Sequence, residues 1–171
     1  MRTSAIPAGP DLPVAARSAP AVHYGSLVIP RTAQPLVDDA FAYLRRDTVE
    51  RSLIERVEHR PVRTRITINH RGDDSYQPDT RTIRWDPTSA LVTTRGGRQS
   101  PALGLGHELD HAAEDARTYD GLQNVPDDAF DSLEERRVIT GSERHAAHTL
   151  HESVRQDHDG KLYRVPDPTL R

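Results

Sequence analysis

The stretch Ser100-Pro101-Ala102-Leu103-Gly104-Leu105-Gly106-His107-Glu108-Leu109-Asp110-His111-Ala112 decides how the rest of the chain is read. Ser100 suits a helix N-cap and Pro101 the first helical position, so a helix is expected from here to about Arg117. Leu105, Leu109, Ala112 and Ala116 fall on one apolar face. His107 and His111, four residues apart, lie one turn apart on the same side, so both imidazoles can reach one metal ion. Glu108 lies beside them, placed to take a proton from a water activated by that metal without being a ligand itself. The chain has nine histidines. With histidine and glutamate each near a frequency of 0.05, a His-Glu-x-x-His window arises by chance about 0.025 times in a chain of this length. Two solvated polar residues are therefore the weaker reading.

A catalytic zinc usually keeps three protein ligands and one open position. The third ligand must come from downstream, where Glu134, Glu135, Glu143 and Glu152 are candidates. Asp115, one turn past His111, is better suited to a place behind a ligand. His145, His148 and His151 recur every three residues and read as a wet helix face before they read as a second metal patch.

Upstream, Leu36, Val37, Ala40, Phe41 and Leu44 predict a helix over residues 34–46, and Leu53, Ile54 and Val57 a second one beginning near Asp47 or Thr48. The period then changes. Val62, Thr64, Ile66 and Ile68 alternate with Arg63, Arg65, Thr67 and Asn69, the pattern of a half-buried strand. Residues 71–75 form a turn cluster, Thr80 to Trp85 reads as the returning strand, and Ala90 to Thr94 as a further short one. Downstream, residues 128–138 and 142–156 read as helices separated by Gly141, after a loop over 120–127. The fold class expected is α+β, a small mixed or antiparallel sheet packed on the histidine-bearing helix.

Composition bounds the function classes. The 171 residues are 35% hydrophobic and 29% charged, with thirteen prolines and no cysteine. Disulfides, thiolate catalysis and cysteine zinc sites are thereby excluded. A net charge of -3 with both signs mixed along the chain gives no nucleic-acid footprint. No apolar run is long enough for a membrane span or an ordinary secretory signal. Five prolines before residue 32 predict a flexible leader over 1–32, in which Leu27-Val28-Ile29 docks at most as an edge segment. The folded domain is expected over 33–165, followed by a tail over 166–171.

The segment around His107 resembles the active helix of zincin peptidases. Leu133-Glu134-Glu135-Arg136-Arg137-Val138-Ile139-Thr140-Gly141 is similar to the Glu-Glu segment of NleD-like type III effector metallopeptidases, including XopG-like relatives, and of clostridial neurotoxin light chains. Thr82-Ile83-Arg84-Trp85-Asp86-Pro87 looks like the strand that precedes the active helix in those families. Glu152-Ser153-Val154-Arg155, with Tyr163-Arg164, looks like their terminal Arg/Tyr region. The resemblance spans roughly residues 60–165. It implies a minimal zincin fold and one Zn2+ per chain held by His107, His111 and Glu135. It makes Glu108 the base and puts Glu134 behind a ligand histidine. It implies a peptidase secreted by a bacterium into a host cell, acting as a monomer on a host signalling protein, with a secretion chaperone as a further partner. Asp110 departs from the family, which more often has an apolar residue there. The short spacing from His111 to Glu135 keeps Glu143 as the alternative third ligand.

A peptidase of this kind needs a group to stabilise the oxyanion, and Arg155 and Tyr163 are the candidates, with Tyr119 a weaker one. Trp85, the only tryptophan, is either core or a wall of the substrate cleft, and is carried forward as a cleft residue. His70 reads as a core or edge histidine. Arg63, Arg65, Arg81 and Arg84 read as a solvated basic strand face.

Overall fold

The computed structural model describes residues 20–171. It is α+β, with a mixed five-stranded sheet, two small antiparallel sheets, and helices packed around one of their number. Among the described residues no helix is long and apolar enough to cross a membrane.

The chain opens with two short strands, β1 (Ala21–Tyr24) and β2 (Leu27–Pro30), paired as a hairpin through Gly25 at φ 58°. Both lie inside the span read as leader, whose residues 1–19 are outside the described part. The hairpin corrects that reading. β2 is an inner strand, parallel to β3 (Thr64–Ile68), and Leu27 and Ile29 are buried in the core. A strand covered on one side by a helical layer and flanked by partners needs only every second residue apolar, and four residues are too few for that alternation to show.

A 3-10 turn leads into α1 (Gln34–Leu44), and α2 (Thr48–Glu58) follows, capped by Asp47, whose carboxylate accepts from the amides of Val49 and Glu50. Next come β4 (Ser75–Gln77) and β5 (Thr82–Trp85). Residues 80–85 do not return antiparallel to β3. β5 runs parallel to β3, and β4 pairs antiparallel on its outer side, giving the order β1-β2-β3-β5-β4. The turn cluster at 71–75 thus opens into a strand of its own. β6 (Ser89–Thr93) and β7 (Arg98–Gln99) begin a second sheet, completed at its other edge by the C-terminal strand β10 (Gly160–Arg164).

The hub is α3 (Pro101–Ala113), capped by Ser100. It packs on α1, α2, β4, β5 and β6. Every residue of α3 except Gly104 is buried, including His107, Glu108, Asp110 and His111. It is not a half-wet helix but an enclosed one, so its polar groups must find partners or pay desolvation. α3 also ends earlier than expected, because Asp115 caps a separate helix, α4 (Ala116–Gln123), with its side chain on the amides of Arg117 and Thr118. A tight hairpin, β8 (Pro126–Asp127) with β9 (Asp131–Ser132), precedes α5 (Leu133–Val138). One π-helical stretch, Ile139–Glu143, joins α5 to α6 (Arg144–Thr149). The helix read over 142–156 stops there, and residues 150–159 run as a loop back over α3. The tail is docked: the Ala102 amide donates to Pro168 O and Arg171 to His151 O.

Trp85 is a correction. It is fully buried, and its indole N–H donates to Pro101 O at 2.9 Å, so it seats the start of α3 in the core and does not line a cleft.

Candidate metal centre

On α3, His107 and His111 point their Nε2 atoms at each other, 3.0 Å apart. Glu135 approaches from the first turn of α5, held there by Ser132, which caps the helix through the Glu135 amide. Its Oε2 lies 2.9 Å from His107 Nε2 and its Oε1 3.3 Å from His111 Nε2. Donors bound tetrahedrally to one zinc, each about 2.0–2.1 Å from it, stand roughly 3.3 Å apart. The three donors are spaced for a shared cation.

Each histidine is braced from behind. His111 Nδ1 faces Glu134 Oε1 at 2.9 Å, and His107 Nδ1 faces Glu143 Oε2 at 2.9 Å. A carboxylate at Nδ1 accepts a hydrogen bond from the ring N–H there, which holds the proton on Nδ1 and leaves the Nε2 lone pair free for a metal. Glu134 and Glu135 are consecutive on one helix yet serve different histidines. Glu143 sits behind His107, on the side away from the Nε2 cluster. The π-helical stretch carries it there, since one extra residue in the turn rotates Glu143 toward α3. Gln99 and Arg155 also hold it, by Nε2–Oε1 at 2.8 Å and Nε–Oε1 at 2.9 Å.

Glu152 is not near the donors. It caps α3, accepting from the Ser100 amide and hydroxyl and from the Tyr43 hydroxyl. Asp110 is paired in the interior with Arg137 at 2.8 Å and with the Ser142 hydroxyl, which explains a carboxylate where an apolar residue was expected. His145 pairs with Asp47, and His148 and His151 are exposed. His70 is exposed beside Asp86. Arg84 pairs with Asp73.

The electrostatics follow from burial and pairing. Burial alone would raise Glu135, but hydrogen bonds and charge from His107 and His111 hold it well below the carboxylate range. Burial likewise opposes ionisation of Glu134, and Arg137 and His111 bring it down to about 2. Burial works against a charged His107, yet Glu135 and Glu143 lift its pKa to about 10. Glu108, buried and unpaired, is pushed up by desolvation. Among the described residues, Glu108, Asp110, Glu134, Glu135 and Glu143 gather around two paired guanidiniums, Arg137 and Arg155, which leaves an excess of acid once His107 and His111 are neutral. A divalent cation at the Nε2 cluster would offset this surplus of buried acid, and the imidazole–carboxylate donor set suits zinc.

Beside the donors opens a cavity of about 340 Å³. His107, Glu108 and Arg155 line it, together with Asp74, Leu91 and Leu162. Glu108 therefore reaches the cavity from the helix that carries the histidines. No protein-family model, curated protein or solved structure matches this chain.

Tyr163 is a second correction. β10 pairs residue for residue with β6, and the pleat turns Leu162, not Tyr163, to the cavity. The Tyr163 ring packs under Arg98 instead, and its hydroxyl is buried without a hydrogen-bond partner. The aromatic beside the histidines is Tyr119 of α4, with ring centroids 5.7 Å from His111. Two participants escaped the sequence reading. His158 lies by Glu135 at 3.4 Å, and Glu50 lies fully buried behind α3 at Gly106. Asp157-His158-Asp159-Gly160 reads as a turn, and nothing local in it points to a ligand.

Proposed function

We propose that the chain is a zinc-dependent endopeptidase. The observation that carries this is the convergence of His107 Nε2, His111 Nε2 and Glu135 within 3.3 Å, beside a cavity into which Glu108 opens. A zinc ion held by these three residues would supply a Lewis acid that lowers the pKa of a water and polarises a carbonyl. Glu108 takes the proton of the attacking water and passes it to the leaving amine. Its buried carboxyl, raised by desolvation against the opposing charges of His107, His111 and Arg155, favours proton acceptance and return. Glu143 and Glu134 fix the histidine rings. Arg155, paired with Glu143 and facing the cavity, supplies positive charge where an oxyanion develops.

The substrate is a protein segment entering the cavity extended. The bacterial-effector setting and a host signalling target are supported by the sequence resemblance to NleD-like peptidases. The test compares wild type with Glu108→Gln, both zinc-loaded, on a peptide library read by mass spectrometry. Cleavage by the wild type and none by Glu108→Gln, at equal zinc content, is expected. Cleavage retained by zinc-loaded Glu108→Gln rules out this mechanism.

A further inference from the structure

His158 repeats the arrangement of the two histidines of α3. Its Nδ1 faces a carboxylate, Asp131 Oδ2, at 2.7 Å. Its Nε2 faces Glu135 Oε2 at 3.4 Å, the same oxygen that lies 2.9 Å from His107 Nε2. Donor atoms of His107, Glu135 and His158 all fall within 4.8 Å of one another, a group in which His158 stands where His111 does in the centre above. At 3.4 Å the His158–Glu135 contact is long for a charge-assisted hydrogen bond but ordinary for two donors on one metal. With Asp131 holding the Nδ1 proton, the Nε2 lone pair is left free. His107 with Glu143, His111 with Glu134 and His158 with Asp131 are thus three imidazoles each facing a carboxylate at Nδ1, two from α3 and one from the loop before β10.

We propose that His158 is a fourth protein donor to the metal, so that the resting centre is closed by protein and opens to water and substrate only when His158 swings away. The proposal rests on the metal-centre reading above. The loop around His158 is built for such a movement. His158 keeps 37% of its side chain exposed and Asp131 76%, so both sit at the solvent rim, unlike His107 and His111 at 6% and 3%. Asp131 stands at φ 66°, a conformation that costs a non-glycine residue energy, in the two-residue strand of the β8–β9 hairpin. The latch is therefore a strained residue on a small, exposed element. Otherwise His158 is tied by its amide to Ala129 O of the same hairpin, so hairpin and donor move together. His158 also lines the cavity beside Glu108, where it occupies space that a substrate needs.

The test uses the full chain and two readouts other than activity. Zinc affinity is measured by competition with a chromophoric chelator, and the Co2+-substituted protein is read by its visible absorption. His158→Ala should weaken zinc binding by at least about tenfold and change the Co2+ band, because one nitrogen donor is replaced by water. Asp131→Asn, which leaves the imidazole in place, should weaken binding about tenfold. His107→Ala serves as the control that removes the centre. Unchanged affinity and unchanged Co2+ absorption in His158→Ala, with binding lost in His107→Ala, overturn the fourth donor and leave the three-donor centre standing. Wild-type binding by His107→Ala overturns the centre itself.

Discussion

Glu50→Gln isolates a buried carboxyl that has no hydrogen-bond partner. Glu50 belongs to the first turn of α2, but its carboxylate is fully buried against the Gly106 backbone, and neither oxygen has a hydrogen-bond partner. Burial first, then the charges of Asp110, Asp47 and Glu143, push its pKa up to about 8. In the unfolded chain it titrates near 4.3. Between those values the folded chain keeps a proton that the unfolded chain has released. The unfolded state binds fewer protons, so stability falls as pH rises through this window. Each pH unit is worth about 1.4 kcal/mol, which makes the loss from pH 5 to pH 8 on the order of 4 kcal/mol. Glutamine does not titrate. Urea denaturation of the metal-free protein at pH 5, 6, 7 and 8 should show Glu50→Gln gaining on wild type with each step, because the titrations of groups not coupled to Glu50 cancel in the difference. A difference independent of pH would refute the reasoning and place a solvating partner at Glu50.

The same contact predicts that Gly106→Ala is destabilising, since an added Cβ would stand 2.5 Å from Glu50 Oε2. Thermal melts should show a loss of about 1–3 kcal/mol, largely recovered in Gly106→Ala/Glu50→Ala. Leu27→Ala should cost about 2–5 kcal/mol in urea denaturation, because Leu27 is fully buried in an inner strand. A neutral result would return β2 to a leader. Glu134→Ala should weaken zinc binding about 10–100-fold by chelator competition, since His111 Nδ1 loses its acceptor.

How much of this was legible beforehand depends on the range of the signal. The four-residue spacing of His107 and His111 is a local property of a helix, and the α3 cap at Ser100 and Pro101 is equally local. The paired glutamates at 134 and 135 could be seen as candidates, but their division between ligand and brace is set by where α5 docks. Glu143 stayed a rival because a π-helical stretch, invisible in the residue pattern, decides which side of His107 it reaches. β1 and β2 were missed because a four-residue inner strand ending in proline shows neither alternation nor length. α4 was missed because it is short and buries one side chain, Tyr119, so it shows no apolar period. Tyr163 and Leu162 could not be ranked without the register of β10 on β6, a pairing across about seventy residues. His158 was hidden for the same reason, since its partners Asp131 and Glu135 come from a different hairpin and helix.

The central claim is that His107, His111 and Glu135 hold one zinc while Glu143 only orients His107. Metal content by plasma mass spectrometry, on protein purified without an affinity metal, tests it most directly. About one zinc per chain is expected in the wild type, lost in Glu135→Ala and still present, though more easily chelated, in Glu143→Ala. Zinc lost in Glu143→Ala and fully kept in Glu135→Ala would contradict the ligand set, and a folded wild type that takes up no zinc would contradict the metal centre.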